Sequence, residues 1–273
     1  MRKNKSALLS VPYILWMVVF TLIPLGVVGY YALTDPDTGA FTWGNLQNLS
    51  MYLPVLGQSV GYALISALIC LLLGYPVAYY IAHRGETMQK ILYMLVMLPM
   101  CRSFLLRTLA WVGLLQDTGI INNLLELIGI GRVRLIRTPG AVILGMVYNY
   151  LPYMILPLYA IIVKIDNRLI EAAEDLGCNG LQTFIRVVLP LSMPGILSGI
   201  TMVFVPAVST FYISQKLGGT DTVLIGDLIE RLFKQAANPN LGAALSLVLM
   251  ALVLVCTGIR NRYGGDEEGG VVV

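Results

Sequence analysis

The residues that most often carry out chemistry are few in this chain, and their spacing excludes most reactions. His83 is the only histidine, and Cys70, Cys101, Cys178 and Cys256 lie far apart. Zinc sites and redox motifs need closely spaced Cys or His residues, so neither is suggested, and no metal site is expected. The cysteines read instead as small apolar fillers. No G-x-x-x-x-G-K-[ST] phosphate loop occurs, so the chain is expected to bind no nucleotide itself. Three groups of residues remain. Glu171, Glu174 and Asp175 lie close together. Arg102 and Arg107 sit in an otherwise apolar stretch. Trp111, Tyr148, Tyr150, Tyr153, Phe211 and Tyr212 fall in or beside apolar runs. Their chemistry is recognition: ion pairing, protein docking, and attraction of a cation to an aromatic face.

The elements that position these residues follow from composition. Of 273 residues, 57% are hydrophobic and 12% charged, with a mean hydropathy of +0.78. Soluble domains carry roughly 25% charged residues, so the polar material here is too scarce to coat a soluble surface. An all-α polytopic membrane protein is the natural reading, and the net charge of +3 is too small to suggest nucleic acid. A membrane helix needs about 20 apolar residues. Six spans are predicted, over Leu8–Leu33, Val60–Ala82, Ile91–Leu115, Ala141–Val163, Gly195–Ile213 and Leu241–Ile259. The first follows Arg2, Lys3 and Lys5 like a signal peptide, but its apolar run is long and no A-x-A site follows, so it reads as retained. Pro12, Pro24, Pro76, Pro99, Pro152, Pro157 and Pro206 fall inside these spans, where kinks are tolerated. Gly195 and Gly199 offer a close-packing face.

Lysine and arginine set the orientation. With the N-terminus inside, ten of these residues face inward and six outward. Both termini and the segment from Lys164 to Pro190 are therefore expected to be cytoplasmic. Residues 1–263 read as one transmembrane domain containing a cytoplasmic loop at 164–190, and residues 264–273 as a disordered tail. The outer connections are expected to be polar or mixed loops.

Within the cytoplasmic loop, Asp166 to Gly177 reads as a short helix. Asp166 or Asn167 caps it, Leu169, Ala172, Ala173 and Leu176 form an apolar stripe, and Gly177 stops it. Leu181, Phe184, Ile185 and Val188 mark a second amphipathic turn. An interfacial hairpin would carry lysine and arginine toward anionic lipid. The first helix is acidic and alanine-rich, which suits a groove on another protein.

The pattern Glu171-Ala172-Ala173-x3-Gly177-x9-Val187-x-Leu189-Pro190 resembles the EAA loop of binding-protein-dependent ABC importer permeases, with Val187 where isoleucine is usual. Leu73-Gly74-Tyr75-Pro76, Gly145 to Pro152, Leu156 to Tyr159, Gln182 to Arg186, Leu217-Gly218-Gly219 and Leu224-Ile225-Gly226 resemble the spermidine/putrescine permeases, and among them the PotB-type subunits. The resemblance covers nearly the whole chain and implies the type I importer fold in a bacterial inner membrane. It implies a pore shared with a PotC-type sister permease and an extracytoplasmic binding protein that delivers polyamine. It also implies two copies of an ATPase that bind the ATP, so that this chain is no enzyme and holds no cofactor. Closure of the ATPases would pull on the helix from Arg168 to Leu176 and swing the fourth and fifth spans. Glu171, Ala172, Ala173, Gly177, Leu189 and Pro190 are then the coupling residues.

No predicted span contains Asp or Glu, so a polyamine path would rest on Trp111, Tyr148, Tyr150, Tyr153, Phe211 and Tyr212. Arg107 is usual in such permeases, whereas Met100-Cys101-Arg102 departs from their pattern. Two arginines would repel a polycation, which gives weight to an organic anion as cargo; thiamine and iron(III) remain the other small solutes of the class. A channel would leave the acidic loop unexplained, and a membrane-embedded enzyme lacks a nucleophile, metal cluster or carboxylate pair.

Overall fold

The computed structural model describes residues 12–35, 38–234 and 238–263. Arg2, Lys3, Lys5 and the tail 264–273 lie outside the described residues. The described chain is almost entirely helical, with one isolated antiparallel bridge between Thr34 and Phe41. In chain order the main helices are α1 (Pro12–Ala32), α2 (Leu53–Ala82), α3 (Glu86–Met97), α4 (Phe104–Leu115), α5 (Ile120–Leu127), α6 (Pro139–Ile162), α7 (Asn167–Asp175), α8 (Gly180–Leu191), α9 (Met193–Val208), α10 (Tyr212–Leu217), α11 (Ile225–Lys234) and α12 (Pro239–Tyr263). Five stretches are long and apolar enough to cross a membrane: α1, Leu49–Ala82, Phe104–Leu127, α6 and Pro239–Arg262. The pair α8 and α9, bent by 65°, makes a sixth if taken as one broken span.

Two predicted spans are corrected. Ile91–Leu115 is not one helix. After α3, Leu98–Cys101 tightens into a 3-10 turn and Arg102 is extended, with φ −90° and ψ 149°. Pro99 has no N–H to continue the ladder, and its ring crowds the preceding turn. The candidate span shifts to Phe104–Leu127, which brings Asp117 and Glu126 into it, so the expectation of carboxylate-free spans does not hold. Gly195–Ile213 also divides. Its helix ends at Val208, and Ile213 lies on α10. Pro206 removes a backbone donor in the last turn, and the Ser209 hydroxyl donates to the Val205 carbonyl at 3.1 Å. The stretches expected to be outer loops are not plain loops either: the one after Leu115 holds α5, which the shifted candidate span takes in, and the one before Leu241 holds α10 and α11.

The described chain falls into two compact units. In the first, residues 1–54 and 228–252, Ala32, Ala243 and Ala244 form a small-residue core with Val28, Leu49 and Leu247 around it. Asn45 donates to the carbonyls of Ala32 (3.2 Å) and Thr34 (2.9 Å), and Asn240 also donates to Thr34. None of the apolar window of α1 is buried, so its surface suits lipid.

The second unit, residues 55–227 and 253–273, is built around α6. Over half of its apolar window is buried, and α3, α4, α9 and α10 pack on it. Met146, Met154, Leu158, Val203, Ile213 and Leu217 are fully buried. The close packing expected at Gly195 and Gly199 is present. A Cβ on Gly199 would lie 2.6 Å from Met154 Sδ, and one on Gly195 would lie 2.9 Å from Ile161. These two positions let the backbones of α9 and α6 approach.

Candidate coupling loop and polar centre

The loop between α6 and α9 is built by strong local signals. Asp166 caps α7 by accepting from the Arg168 N–H at 3.0 Å. Gly177 adopts φ +87°, a left-handed conformation that costs a Cβ-bearing residue energy. Its N–H donates to the Glu174 carbonyl at 2.9 Å, and that of Cys178 to Ala173 at 3.0 Å, which closes the helix end. Asn179 and Gln182 then form a reciprocal capping box at 2.9 and 3.0 Å that starts α8.

The loop turns one alanine inward and the rest outward. Ala173 is buried, while Glu171 and Ala172 are exposed. The predicted apolar stripe is therefore divided. Leu176 is 87% exposed and Leu181 69% exposed, which leaves two large apolar side chains uncovered on one short segment. Leu189 is half-buried and Pro190 exposed. Small residues, open leucines and the carboxylates of Glu171, Glu174 and Asp175 share one short segment. That combination can seat in a groove edged by basic groups.

The loop is also tied to α2. Phe184 lies edge-on to Tyr75 at 5.4 Å and to Tyr79 at 6.0 Å. Tyr75 Oη is 2.8 Å from Ser192 Oγ, at the break between α8 and α9. The Ser192 hydroxyl donates its proton to the Leu189 carbonyl at 3.0 Å, so Tyr75 must be the donor in the pair. Sequence reading missed Tyr75 and Ser192 as parts of this site. The only local signal was the apolar spacing around Phe184.

The predicted path residues separate into groups. Phe104, Arg107 and Trp111 share one face of α4 by helical spacing. Trp111 meets Tyr148 edge-on at 5.4 Å. Tyr150 is buried against Phe104 (6.4 Å) and Tyr153 (6.3 Å), and Phe104 also meets Tyr212 at 6.3 Å. Phe211 is 42% exposed and joins neither group. Arg107 is 8% exposed, and its Nε and Nη1 have no hydrogen-bond acceptor among the described residues. Its neighbour Thr108 is 3.5 Å from Asn149 Nδ2, which donates to the Gly145 carbonyl at 2.9 Å. Asn149 Oδ1, fully buried, receives no hydrogen bond among the described residues. Arg102, by contrast, is exposed in the break before α4.

Sequence reading also missed Phe104, Asn149 and Asp227. Asp227 is buried and accepts from Gln215 Nε2 at 2.8 Å. Asn149 and Asp227 are single polar residues in apolar or amphipathic stretches and gave no spacing signal, while Phe104 fell inside a span read as continuous.

Residues 71–262 match the family described as binding-protein-dependent transport system inner membrane component. The chain belongs to this family. It is 39% identical over 252 residues to the spermidine/putrescine transport system permease protein PotB of Escherichia coli strain K12, covering 88% of this chain and 92% of that one. Identity to the Haemophilus influenzae PotB is 40% over 264 residues, with 92% of each chain covered. The inner membrane ABC transporter permease protein YdcU of Escherichia coli is 29% identical over 270 residues, covering 90% of this chain and 85% of that one. Among solved structures, a chain of a bacterial ABC transporter that imports alginate matches with a TM-score of 0.78 and 20% identity, over 96% of this chain and 97% of that chain. A chain of the methionine transporter MetNI matches with a TM-score of 0.57 and 15% identity, over 79% of this chain and 95% of that chain. The fold is that of ABC importer permeases, and the chain is a multi-pass membrane component of a transport system.

Proposed function

We propose that this family member translocates polyamines of the spermidine/putrescine class, delivered by an extracytoplasmic binding protein. The observation that carries the reading is the identity of about two residues in five with permeases named for that cargo. The Phe104–Tyr150–Tyr153–Tyr212 group and the Trp111–Tyr148 pair agree with it. Each aromatic face attracts an ammonium group by about 0.5–2 kcal/mol, weak enough for release.

In this reading the chain hydrolyses nothing and holds no cofactor. ATP belongs to two partner ATPase copies, one docked at Glu171–Pro190 and one on a sister permease. The loop side is cytoplasmic, as are both termini. Uptake of radiolabelled spermidine into proteoliposomes holding the whole complex tests the reading. ATP-dependent uptake competed by putrescine is expected. Binding-protein-dependent uptake of another solute with no spermidine uptake would refute the cargo.

The unpaired donors of Arg107 favour a second reading, an organic anion as cargo. The same vesicles decide it, with labelled dicarboxylates in place of spermidine.

A further inference from the structure

The end of the second unit remote from the coupling loop holds a cavity of about 570 Å³. Arg134, Arg137 and Lys216 line it with Gln116, Gln215 and a single carboxylate, Asp117, leaving two positive charges in excess. No carboxylate lies within ion-pair distance of these three cations among the described residues.

Its frame is more ordered than a solvated loop requires. Arg137 is the only non-glycine residue with positive φ, 61°, among the described residues. Its N–H donates to the Leu217 carbonyl at 2.9 Å. The next residue, Thr138, caps α6 by accepting from Ala141 at 3.2 Å and donates to Leu135 at 2.8 Å. Lys216 Nζ sits 5.7 Å from the Tyr212 ring centre. An exposed arginine held in a left-handed backbone, with no hydrogen-bond acceptor for its side chain among the described residues, marks a place arranged for something else.

Position narrows the ligand. Arg137 stands just before α6 and the coupling loop just after it, so about 36 Å of helix separates them. If the ATPases dock at Glu171, this cavity opens on the opposite side of the membrane. Two excess positive charges would repel a polyamine.

We propose that this cavity seats an acidic side chain of the extracytoplasmic binding protein, so that Arg134, Arg137 and Lys216 form a carboxylate-docking pocket. The proposal rests on the importer reading above. Docking through paired charges would fix where the binding protein opens and would weaken with salt.

The test uses the complete complex in nanodiscs, with its cargo-loaded binding protein as titrant and ATPase rate as readout. Arg137→Gly removes the charge while suiting the left-handed backbone, and Arg134→Gln removes a second. The double variant is expected to keep its melting temperature and maximal rate. Its half-saturating concentration of binding protein should rise about tenfold, with a flatter salt dependence than the unmodified complex. Unchanged half-saturation in the double variant overturns the pocket. So does a shift confined to the KM for an anionic cargo, because the cavity would then serve cargo and not docking. An unmodified complex that its binding protein does not stimulate refutes the importer reading itself, and the pocket with it.

Discussion

Arg107 places two guanidinium nitrogens, Nε and Nη1, inside a candidate membrane span without an acceptor among the described residues. A buried charge of this kind is costly and is kept for a reason other than stability. Arg107→Met, similar in bulk, is therefore expected to hold or raise the melting temperature by a few degrees while altering the KM for uptake. A large fall in melting temperature would show that the arginine pins the helices. Gly177 is the opposite case, a residue set by backbone alone. Its φ of +87° makes Gly177→Ala cost about 1–2 kcal/mol in loop order. Uptake should fall while the membrane helices stay folded, and Gly177→Asn, which tolerates this region better, should recover part of the loss. Glu171→Lys reverses charge on an exposed position, so the expected loss is co-purification of the ATPase, with the permease still intact by size-exclusion chromatography.

At the scale of elements, the loop is joined to α2 as well as to α9, through the Phe184 and Ser192 contacts. In the coupling reading proposed above, a displacement of the loop would therefore reach both helices. Tyr75→Phe removes the donor to Ser192 and should cost about 1 kcal/mol of local stability. Transported cargo per ATP should fall several-fold, and Ser192→Ala on top should add little. Additive losses in that double-mutant cycle would show that the two act separately. The loop itself was legible in the chain because its signals lie within a few residues of each other: Asp166 as cap, Gly177 as stop, and Leu181, Phe184, Ile185 and Val188 at helical spacing, although the Asn179–Gln182 box that starts α8 was not read. The break after α3 was not. Membrane helices often contain prolines, so Pro99 looked like one more kink among seven. Nor was the Asn149 contact legible, because pairing with Thr108 depends on how α4 and α6 are rotated against each other. Sequence spacing within one helix cannot report that. The aromatic group was half legible: Tyr150, Tyr153 and Tyr212 stood out, while Phe104 was masked by its place at a helix start assigned to mid-span.

For the whole molecule, the break at Ser192 has a consequence for the lipid around it. Helix α9 has 16 residues and extends about 24 Å, while a hydrocarbon core is about 30 Å thick. By the same rise α6 extends about 36 Å. One span is short and its packed neighbour long, so no single bilayer thickness matches both. The membrane must thin beside α9 or the bent arm α8 must flatten into the interface, and α6 must tilt. Straightening the 65° bend would lengthen the short span and relieve that mismatch, which makes the bend sensitive to bilayer thickness. Uptake measured in phosphatidylcholine vesicles of increasing acyl length should pass through an optimum in the thinner half of the series. Rates that do not respond to chain length would show that protein, and not lipid, covers α9.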